Sequence, residues 1–141
     1  MEIVKAEEAD IKDILALQAQ IYRIDNLASN SEESLKKQLA DDCCDILVAK
    51  NENKIVGTAT IYYIQVAAHG KPYALLEGLV VNKNQREHGI GTKLFTRCVE
   101  IAQKKGCYKM IFTSGNDRKE IHTFYEKLRF KKWGLEFRKD L

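Results

Sequence analysis

The run Arg86-Glu87-His88-Gly89-Ile90-Gly91 places a basic side chain and two glycines between an apolar stretch and a helical pattern. Glycine lets the backbone approach a ligand closely, and the first N–H groups of a helix have no partner within the helix. Such N–H groups bind anions, and phosphate is a common ligand of these sites. The run therefore predicts a phosphate-binding turn.

The spacing of the two glycines excludes two familiar phosphate loops. The stretch from Gly89 to Leu94 lacks the third glycine of the dinucleotide fingerprint, and it lacks the second Gly-Lys pair of a Walker loop. The turn is therefore expected to bind a phosphate compound of another kind.

A strand and a helix are predicted to position this turn. Residues 73–81 are dense in aliphatic side chains and lie between Pro72 and Asn82, which favours a central strand buried on both faces. After the turn, apolar side chains recur at helical spacing while Lys93 and Arg97 fall elsewhere, as expected for an amphipathic helix on a sheet. The apolar set is Ile90, Leu94, Phe95, Cys98, Val99 and Ala102.

Periodicity and turn residues predict the other elements. Gly57, inside a predicted strand, is expected to mark a bulge or a close packing contact. The remaining elements are a strand at 2–6, a helix carrying Ile11, Ile14, Leu15, Ile21 and Tyr22, a helix from Ser31, strands at 45–50 and 54–65, a turn at 66–72, a strand at 107–113, a helix carrying Ile121, Phe124, Tyr125 and Leu128, and a closing strand at 130–138.

Composition limits the class of protein. The chain of 141 residues fits one domain, residues 1–141, and its 23 basic and 20 acidic side chains do not demand nucleic acid. The four cysteines show no metal-ligand spacing, and no apolar run reaches the ~20 residues needed to cross a bilayer. We therefore expect free thiols, no metal, no nucleic-acid or membrane partner, and a cytoplasmic location.

Two motifs together resemble one family. Arg86-x-x-Gly89-x-Gly91, directly after the Leu79-Val80-Val81 strand end, resembles the pyrophosphate-binding signature of the GNAT superfamily of acyl-CoA-dependent N-acyltransferases. The segment His122-Thr-Phe-Tyr125-Glu-Lys-Leu-Arg-Phe130 resembles that family's FYEKxGF segment.

The resemblance implies a fold and a cosubstrate. The fold is mixed α/β, a twisted sheet of six to seven strands with about four helices in the order β-α-α-β-β-β-α-β-α-β. The sheet is expected to split near the end of residues 73–81, where it would admit acetyl-CoA as the acyl donor. The implied cofactor-binding residues are Leu79, Val80, Val81, Arg86, Glu87, His88, Gly89, Ile90, Gly91, Thr92 and Asn116.

Two residues are candidates for proton transfer. Glu77 is the one charge in residues 73–81 and could take a proton from an attacking amine; the alternative is a surface carboxylate paired with a lysine. Tyr125 carries over from the family motif as the acid that protonates the leaving thiolate, and the alternative is plain core packing. The backbone N–H near Leu79 is implied as the oxyanion donor.

Other positions bear on the acceptor and on local geometry. The resemblance implies that Tyr22, Arg23, Asp25 and Asn26 border the acceptor; a solvated loop is the alternative, and the residues alone favour it. Two residues depart from the family pattern: Asn82 begins a turn where proline is common, and Arg129 stands where glycine is usual, so that a positive φ would be strained.

These observations predict an N-acetyltransferase that moves an acetyl group from acetyl-CoA to a primary amine of a small molecule or peptide by direct attack in a ternary complex. A homodimer is left open. The alternative is a non-catalytic acyl-CoA sensor or partner module on the same fold.

Overall fold

The computed structural model describes residues 1–21 and 24–141, and it builds the first of two units, Met1–Ile111, around a mixed β-sheet. The strands are β1 (Glu2–Lys5), β2 (Cys44–Asn51), β3 (Lys54–Val66), β4 (Lys71–Val81) and β5 (Met110–Ile111), in that spatial order. Strands β1 to β4 pair antiparallel, and β5 pairs parallel to β4. The mixed α/β class is confirmed.

Four α-helices accompany the strands in the described residues. They are α1 (Ile11–Gln18), α2 (Ser31–Leu39), α3 (Ile90–Lys104) and, in the second unit, α4 (Lys119–Lys127). Short 3-10 turns at Glu8–Asp10, Ala67–His69 and Lys83–Gln85 complete the order. The order matches the prediction up to the last element.

The predicted count of six to seven strands is wrong, since five strands form within 1–21 and 24–141. The closing strand expected at 130–138 does not form in the described structure, where these residues lie in no regular element. An alternating pattern of side chains does not by itself supply the backbone hydrogen bonds of a strand. The strand expected at 107–113 is reduced to β5, because Cys107 N–H closes the end of α3 on the Ala102 carbonyl at 3.0 Å.

The core of the first unit lies on both faces of the sheet. Ile14 and Leu35 from α1 and α2 pack with Val48 of β2, and all three are buried. On the opposite face, Leu94 and Cys98 of α3 are fully buried. The stripe predicted for α3 is therefore the stripe that meets the sheet.

Gly57 of β3 allows α3 to lie close to the sheet. A Cβ at this position would be 2.9 Å from Leu94 Cδ1 and 3.3 Å from the Val80 carbonyl oxygen. The pairing of β2 with β3 also shifts by one residue beside it, between Ala49 and Lys50. Both interpretations of this glycine, bulge and close contact, are confirmed.

The second unit, Phe112–Leu141, contains α4 and a long segment without regular structure. The Phe112 ring meets the Tyr125 ring at 4.6 Å and the Phe130 ring at 4.9 Å, both edge to face. Beyond Phe130, the side chains of Trp133, Leu135 and Phe137 are exposed. The prediction that residues 1–141 form one domain stays a prediction.

Candidate active site

Strand β4 carries a β-bulge near its end. Thr60 pairs with Glu77 and Thr58 pairs with Val80, so that Gly78 and Leu79 together lie opposite Ala59. Gly78 has φ +59°, in the left-handed region that glycine adopts without strain. A bulge leaves backbone groups outside the ladder of hydrogen bonds. Leu79, the implied oxyanion donor, therefore lies at an irregular point of the strand.

One side of β4 is open beyond its middle. Strand β5 pairs only with Ala74 and Leu75. From Leu76 to Val81, no strand of the described residues pairs with this side of β4. The backbone of Leu79, Val80 and Val81 is thus placed where an extended ligand could pair with it.

The turn that follows β4 is held by its own side chains. Asn82 Oδ1 accepts from Asn84 N–H at 3.0 Å, which supplies the turn that proline commonly makes. Arg86 Nε donates to the Val81 carbonyl at 3.1 Å. The Arg86 carbonyl lies 2.8 Å from His88 Nδ1, and because a carbonyl only accepts, Nδ1 carries the proton. The His88 ring therefore braces this turn.

The N-terminus of α3 presents backbone donors. Gly89 is its N-cap residue at φ +77°, and the first helical hydrogen bond runs from Lys93 N–H to the Gly89 carbonyl at 3.1 Å. The N–H groups of Ile90, Gly91 and Thr92 precede that bond and have no helical acceptor. Together with the positive end of the helix dipole, they form a site suited to an anion.

Glu87 is an unexpected member of this turn. It has φ +68°, which is uncommon for a residue with a side chain, and it adds a negative charge to the turn that precedes α3. Its backbone conformation serves the turn, while its charge opposes an anionic ligand.

Glu77 lies on the exposed surface of β4. Within the described part of the chain, no ion pair joins it to a lysine or arginine. The lysine pairing considered as its alternative role is thus not formed there, and its role as base stays a prediction.

The region predicted to border the acceptor is described only in part. Tyr22 and Arg23 lie outside the described residues, and Asp25 and Asn26 are exposed and in no helix or strand. A hydrogen bond joins this region to the turn that follows β4: Lys83 N–H donates to Gln20 Oε1 at 3.0 Å. Sequence patterns gave no signal for it, because it joins residues 63 positions apart.

The second unit holds the remaining candidates. Tyr125 is half-buried on α4, with its ring against Phe112. Asn116 is exposed in the loop before α4. His122 Nε2 donates to the Gly115 carbonyl at 2.9 Å and braces that loop. Its role is therefore structural in this unit.

Two further features of this unit concern local strain. Ser114 Oγ is buried without a hydrogen-bond partner in the described structure, and sequence reasoning missed it. Arg129 has φ +69°, so it keeps the left-handed conformation at the position where the family motif has glycine, although that conformation is strained for arginine.

No group of three metal-ligating side chains occurs among the described residues. None of the helices in the described part of the chain has the length and apolar character to span a membrane.

The mixed α/β fold and the glycine turn before α3 are those of an acetyltransferase, and comparison with known proteins agrees. The model of the acetyltransferase (GNAT) family matches residues 11–130. The chain belongs to this family, and it is an acetyltransferase.

Individual relatives match over nearly their whole length. The chain is 26% identical to glucosamine 6-phosphate N-acetyltransferase of Trypanosoma brucei brucei, over 100% of the chain and 96% of that protein. A putative acetyltransferase from Agrobacterium tumefaciens has the same fold, with a TM-score of 0.91, 24% identity and complete coverage of both chains. An aminoglycoside acetyltransferase from an uncultured soil metagenomic sample, in complex with sisomicin, has a TM-score of 0.87 and 25% identity over 99% of this chain and 95% of that one.

Proposed function

We propose that this chain is an N-acetyltransferase that moves an acetyl group from acetyl-CoA to a primary amine of a small molecule, by direct attack in a ternary complex. The observation that carries the proposal is the junction of β4 and α3, where a bulged strand with one open side leads directly into three backbone N–H groups without helical acceptors.

The residues present fit acetyl-CoA. The N–H groups from Glu87 to Thr92 would hold its pyrophosphate, and Arg86 adds positive charge to the same turn. The backbone of Leu79 to Val81 would pair with the amides of its pantetheine arm, and Asn116 would hydrogen-bond that arm. When bound, acetyl-CoA supplies a reactive thioester and a thiol leaving group.

Glu77 is the proposed base. A lysine-like amine with a reference pKa of about 10.4 is only ~0.04% neutral at pH 7, a cost of roughly 4.6 kcal/mol for attack. An exposed carboxylate can take that proton directly or through a water molecule. Glu77 precedes Gly78 of the bulge directly, so the proposed base and the Leu79 N–H belong to the same stretch of strand.

Leu79 and Tyr125 would stabilise the negative charges that develop on the carbonyl oxygen and on the leaving sulfur during acetyl transfer. A backbone N–H at a bulge is fixed in direction, so the Leu79 N–H can stabilise negative charge on the reacting carbonyl oxygen. The Tyr125 hydroxyl would protonate the departing thiolate, as the family motif implies.

The relatives suggest the class of acceptor. Their names refer to glucosamine 6-phosphate and to aminoglycosides. We therefore propose an amine on a sugar-like small molecule as the acceptor, ahead of a peptide amine.

The four cysteines are free thiols, which supports the proposed cytoplasmic location.

An amine panel with detection of released CoA thiol tests the proposal. Amino sugars, aminoglycosides, polyamines and short peptides are each incubated with enzyme and acetyl-CoA. Cys43 is an exposed thiol, so wells without an amine provide the blank. Amine-dependent thiol release is the expected result. Tight acetyl-CoA binding with no release in any well would favour the non-catalytic sensor.

Gly91 allows a separate test of the anion site. The helix dipole stabilises an aspartate in the first turn of a helix, but the charge of that aspartate would repel a pyrophosphate. Gly91→Asp and Gly91→Asn differ in charge and hardly in size. We expect both variants to fold and Gly91→Asp to bind acetyl-CoA at least about tenfold more weakly than Gly91→Asn, by calorimetry. Equal affinities would place the pyrophosphate elsewhere.

A further inference from the structure

The turn that follows β4, residues 82–85, has a hydrogen-bond acceptor for each of its backbone N–H groups. Asn82 N–H donates to the Val56 carbonyl of β3 at 2.8 Å. Within the turn, Asn84 N–H donates to Asn82 Oδ1 at 3.0 Å, and Gln85 N–H donates to the Asn82 carbonyl at 2.8 Å. The turn itself and the strand beside it therefore provide three of the four acceptors.

The fourth acceptor comes from a distant part of the chain. Lys83 N–H donates to Gln20 Oε1 at 3.0 Å, across 63 positions. Lys83 is the first residue of the 3-10 turn Lys83–Gln85, and the first N–H groups of a helical turn have no acceptor within it. The Gln20 side chain thus gives Lys83 the acceptor that its own turn lacks.

Gln20 is held by a rigid element. Its backbone N–H donates to the Leu17 carbonyl at 2.9 Å, directly beyond the end of α1. Leu17 and Ile14 of this helix are buried, so α1 is anchored in the core of the first unit. A side chain supported in this way restricts the position of its partner more than a side chain on a free loop would.

The residue after Gln20 contacts the same stretch of backbone at its other end. A Cβ at Gly78 would lie 3.9 Å from Ile21 Cδ1, so the Ile21 side chain lies beside the bulge of β4. Two consecutive residues beyond α1 therefore meet both ends of residues 78–83. The backbone proposed to pair with the pantetheine arm lies between these two contacts.

The position of the turn determines where the anion site lies. Residues 82–85 lead directly into Arg86 and into the N–H groups from Glu87 to Thr92. Donors that are fixed before a ligand arrives bind it more tightly, because less free energy is lost in ordering them on binding. A bond that fixes this turn should therefore strengthen anion binding without contacting the anion.

We infer that Gln20 is a positioning residue for acetyl-CoA: its side chain holds the Lys83 N–H, and thereby the turn that directs the donors of the anion site. The inference rests on the proposed function, since it takes acetyl-CoA as the ligand of that site. Gln20 acts through Lys83 and has no part in the chemical step.

Gln20→Met is the first test. Methionine is close to glutamine in length and helix propensity, but its sulfur is only a weak acceptor. We expect the Kd for acetyl-CoA, by calorimetry, to rise about threefold to tenfold, the range expected for one neutral hydrogen bond. In steady-state kinetics, the KM for acetyl-CoA should rise while kcat is unchanged, because the groups proposed to act in the transition state remain.

Gln18→Met is the matched control. Gln18 is the last residue of α1 and is half-buried like Gln20. Its side chain forms no hydrogen bond within residues 1–21 and 24–141. The Kd of this variant should therefore equal that of the unchanged chain.

Removal of the donor gives a sharper test. Asn82 has φ −49° and ψ 128°, the extended conformation that suits a residue before proline, and Lys83 opens a helical turn, where proline is tolerated. Lys83→Pro has no N–H for Gln20 to accept, so adding Gln20→Met should leave the Kd of that variant unchanged. Lys83→Ala loses the charge but keeps the N–H, so adding Gln20→Met there should raise the Kd by the same factor as in the unchanged chain.

The outcomes separate this inference from the proposed function. An unchanged chain that does not bind acetyl-CoA would overturn both. Equal affinities of the unchanged chain and Gln20→Met would overturn the positioning role alone. An equal loss of affinity from Gln20→Met with and without Lys83→Pro would also overturn it, because the effect would then not pass through the Lys83 N–H.

Discussion

At the scale of single residues, Tyr125 separates packing from chemistry. Its ring contacts Phe112 at 4.6 Å, and Tyr125→Phe keeps that contact while removing the hydroxyl. We expect kcat to fall by roughly 10²-fold, the lower end for loss of a general acid, because a thiol with reference pKa near 8.5 leaves readily without help. The KM for acetyl-CoA should hardly change.

Steady-state kinetics and an unfolding curve check this prediction together. The assay must first be shown to be limited by chemistry, for example by a change of rate with a slower acyl donor. A variant as active as the parent would assign Tyr125 to packing, with solvent as the acid.

The buried hydroxyls of Ser114 and Thr58 differ in whether they have a hydrogen-bond partner. Ser114 Oγ is buried without a partner in the described structure, whereas buried Thr58 Oγ donates to the Leu47 carbonyl at 2.8 Å. An unsatisfied buried group costs about 1–3 kcal/mol, and a satisfied one contributes about 1 kcal/mol. Ser114→Ala should therefore raise the free energy of unfolding and Thr58→Val should lower it, each by about 1 kcal/mol, in urea titrations of the ligand-free protein. A loss of stability in Ser114→Ala would indicate a partner for the hydroxyl.

At the scale of elements, Gly57 sets the distance between β3 and α3. A methyl group there would lie 2.9 Å from Leu94 Cδ1. Gly57→Ala should lower the free energy of unfolding by about 1–3 kcal/mol, the usual cost of overpacking. Because α3 also presents the anion site, acetyl-CoA affinity should fall as well.

The companion change Leu94→Val removes the clashing atom. In a double-mutant cycle, Gly57→Ala with Leu94→Val should be more stable than the sum of the single effects implies, by at least about 0.5 kcal/mol. Strict additivity would mean that the Val80 carbonyl, 3.3 Å from the added atom, determines the cost.

Asp45 links three strands through one buried carboxylate. Lys5 Nζ of β1 lies 2.8 Å from its Oδ1, and Tyr63 of β3 donates to its Oδ2 at 2.6 Å. Burial raises the pKa of Asp45, but the bonds from Lys5 and Tyr63 outweigh burial and hold that pKa below its ordinary value.

A lowered pKa in the folded state fixes the sign of the pH effect. The stability from Asp45 is present above its unfolded pKa of about 3.9 and is lost as the pH falls through the lower folded value. Asp45→Asn should therefore reduce the loss of stability between about pH 4.5 and pH 2.5, measured by urea unfolding at each pH. An unchanged slope would show that other carboxylates cause the acid sensitivity.

At the scale of the whole molecule, the sequence was informative where structure is local. The glycine turn and the apolar stripe of α3 are set by neighbouring residues, so the helix and the glycine turn at its start could be predicted. The motif alone left the backbone conformation at Arg129 open, because a positive φ is strained for arginine; the structure has φ +69° there.

Features that depend on distant contacts were not predictable. The bulge at Gly78 and Leu79 is set by register against β3, and the open side of β4 is set by how little of β5 pairs with it. Residues 131–138 have the alternation of a strand but form no regular element in the described structure. A periodic pattern states that a strand is possible, while the available edge decides whether it forms.

The turn between β2 and β3 has a consequence for how the chain folds. Only Glu52 and Asn53 separate the two strands, and both have positive φ, 50° and 66°, as the tightest hairpins require. Closing so short a loop costs little entropy, whereas joining β4 to β5 must first span all of α3. We expect the hairpin to be formed in the folding transition state and the anion site to form after it. In stopped-flow measurements, Gly91→Asn, which replaces glycine by a better helix former, should then slow unfolding and leave the folding rate unchanged. Residues that bind the ligand could thus change during evolution without slowing the formation of the sheet that carries them.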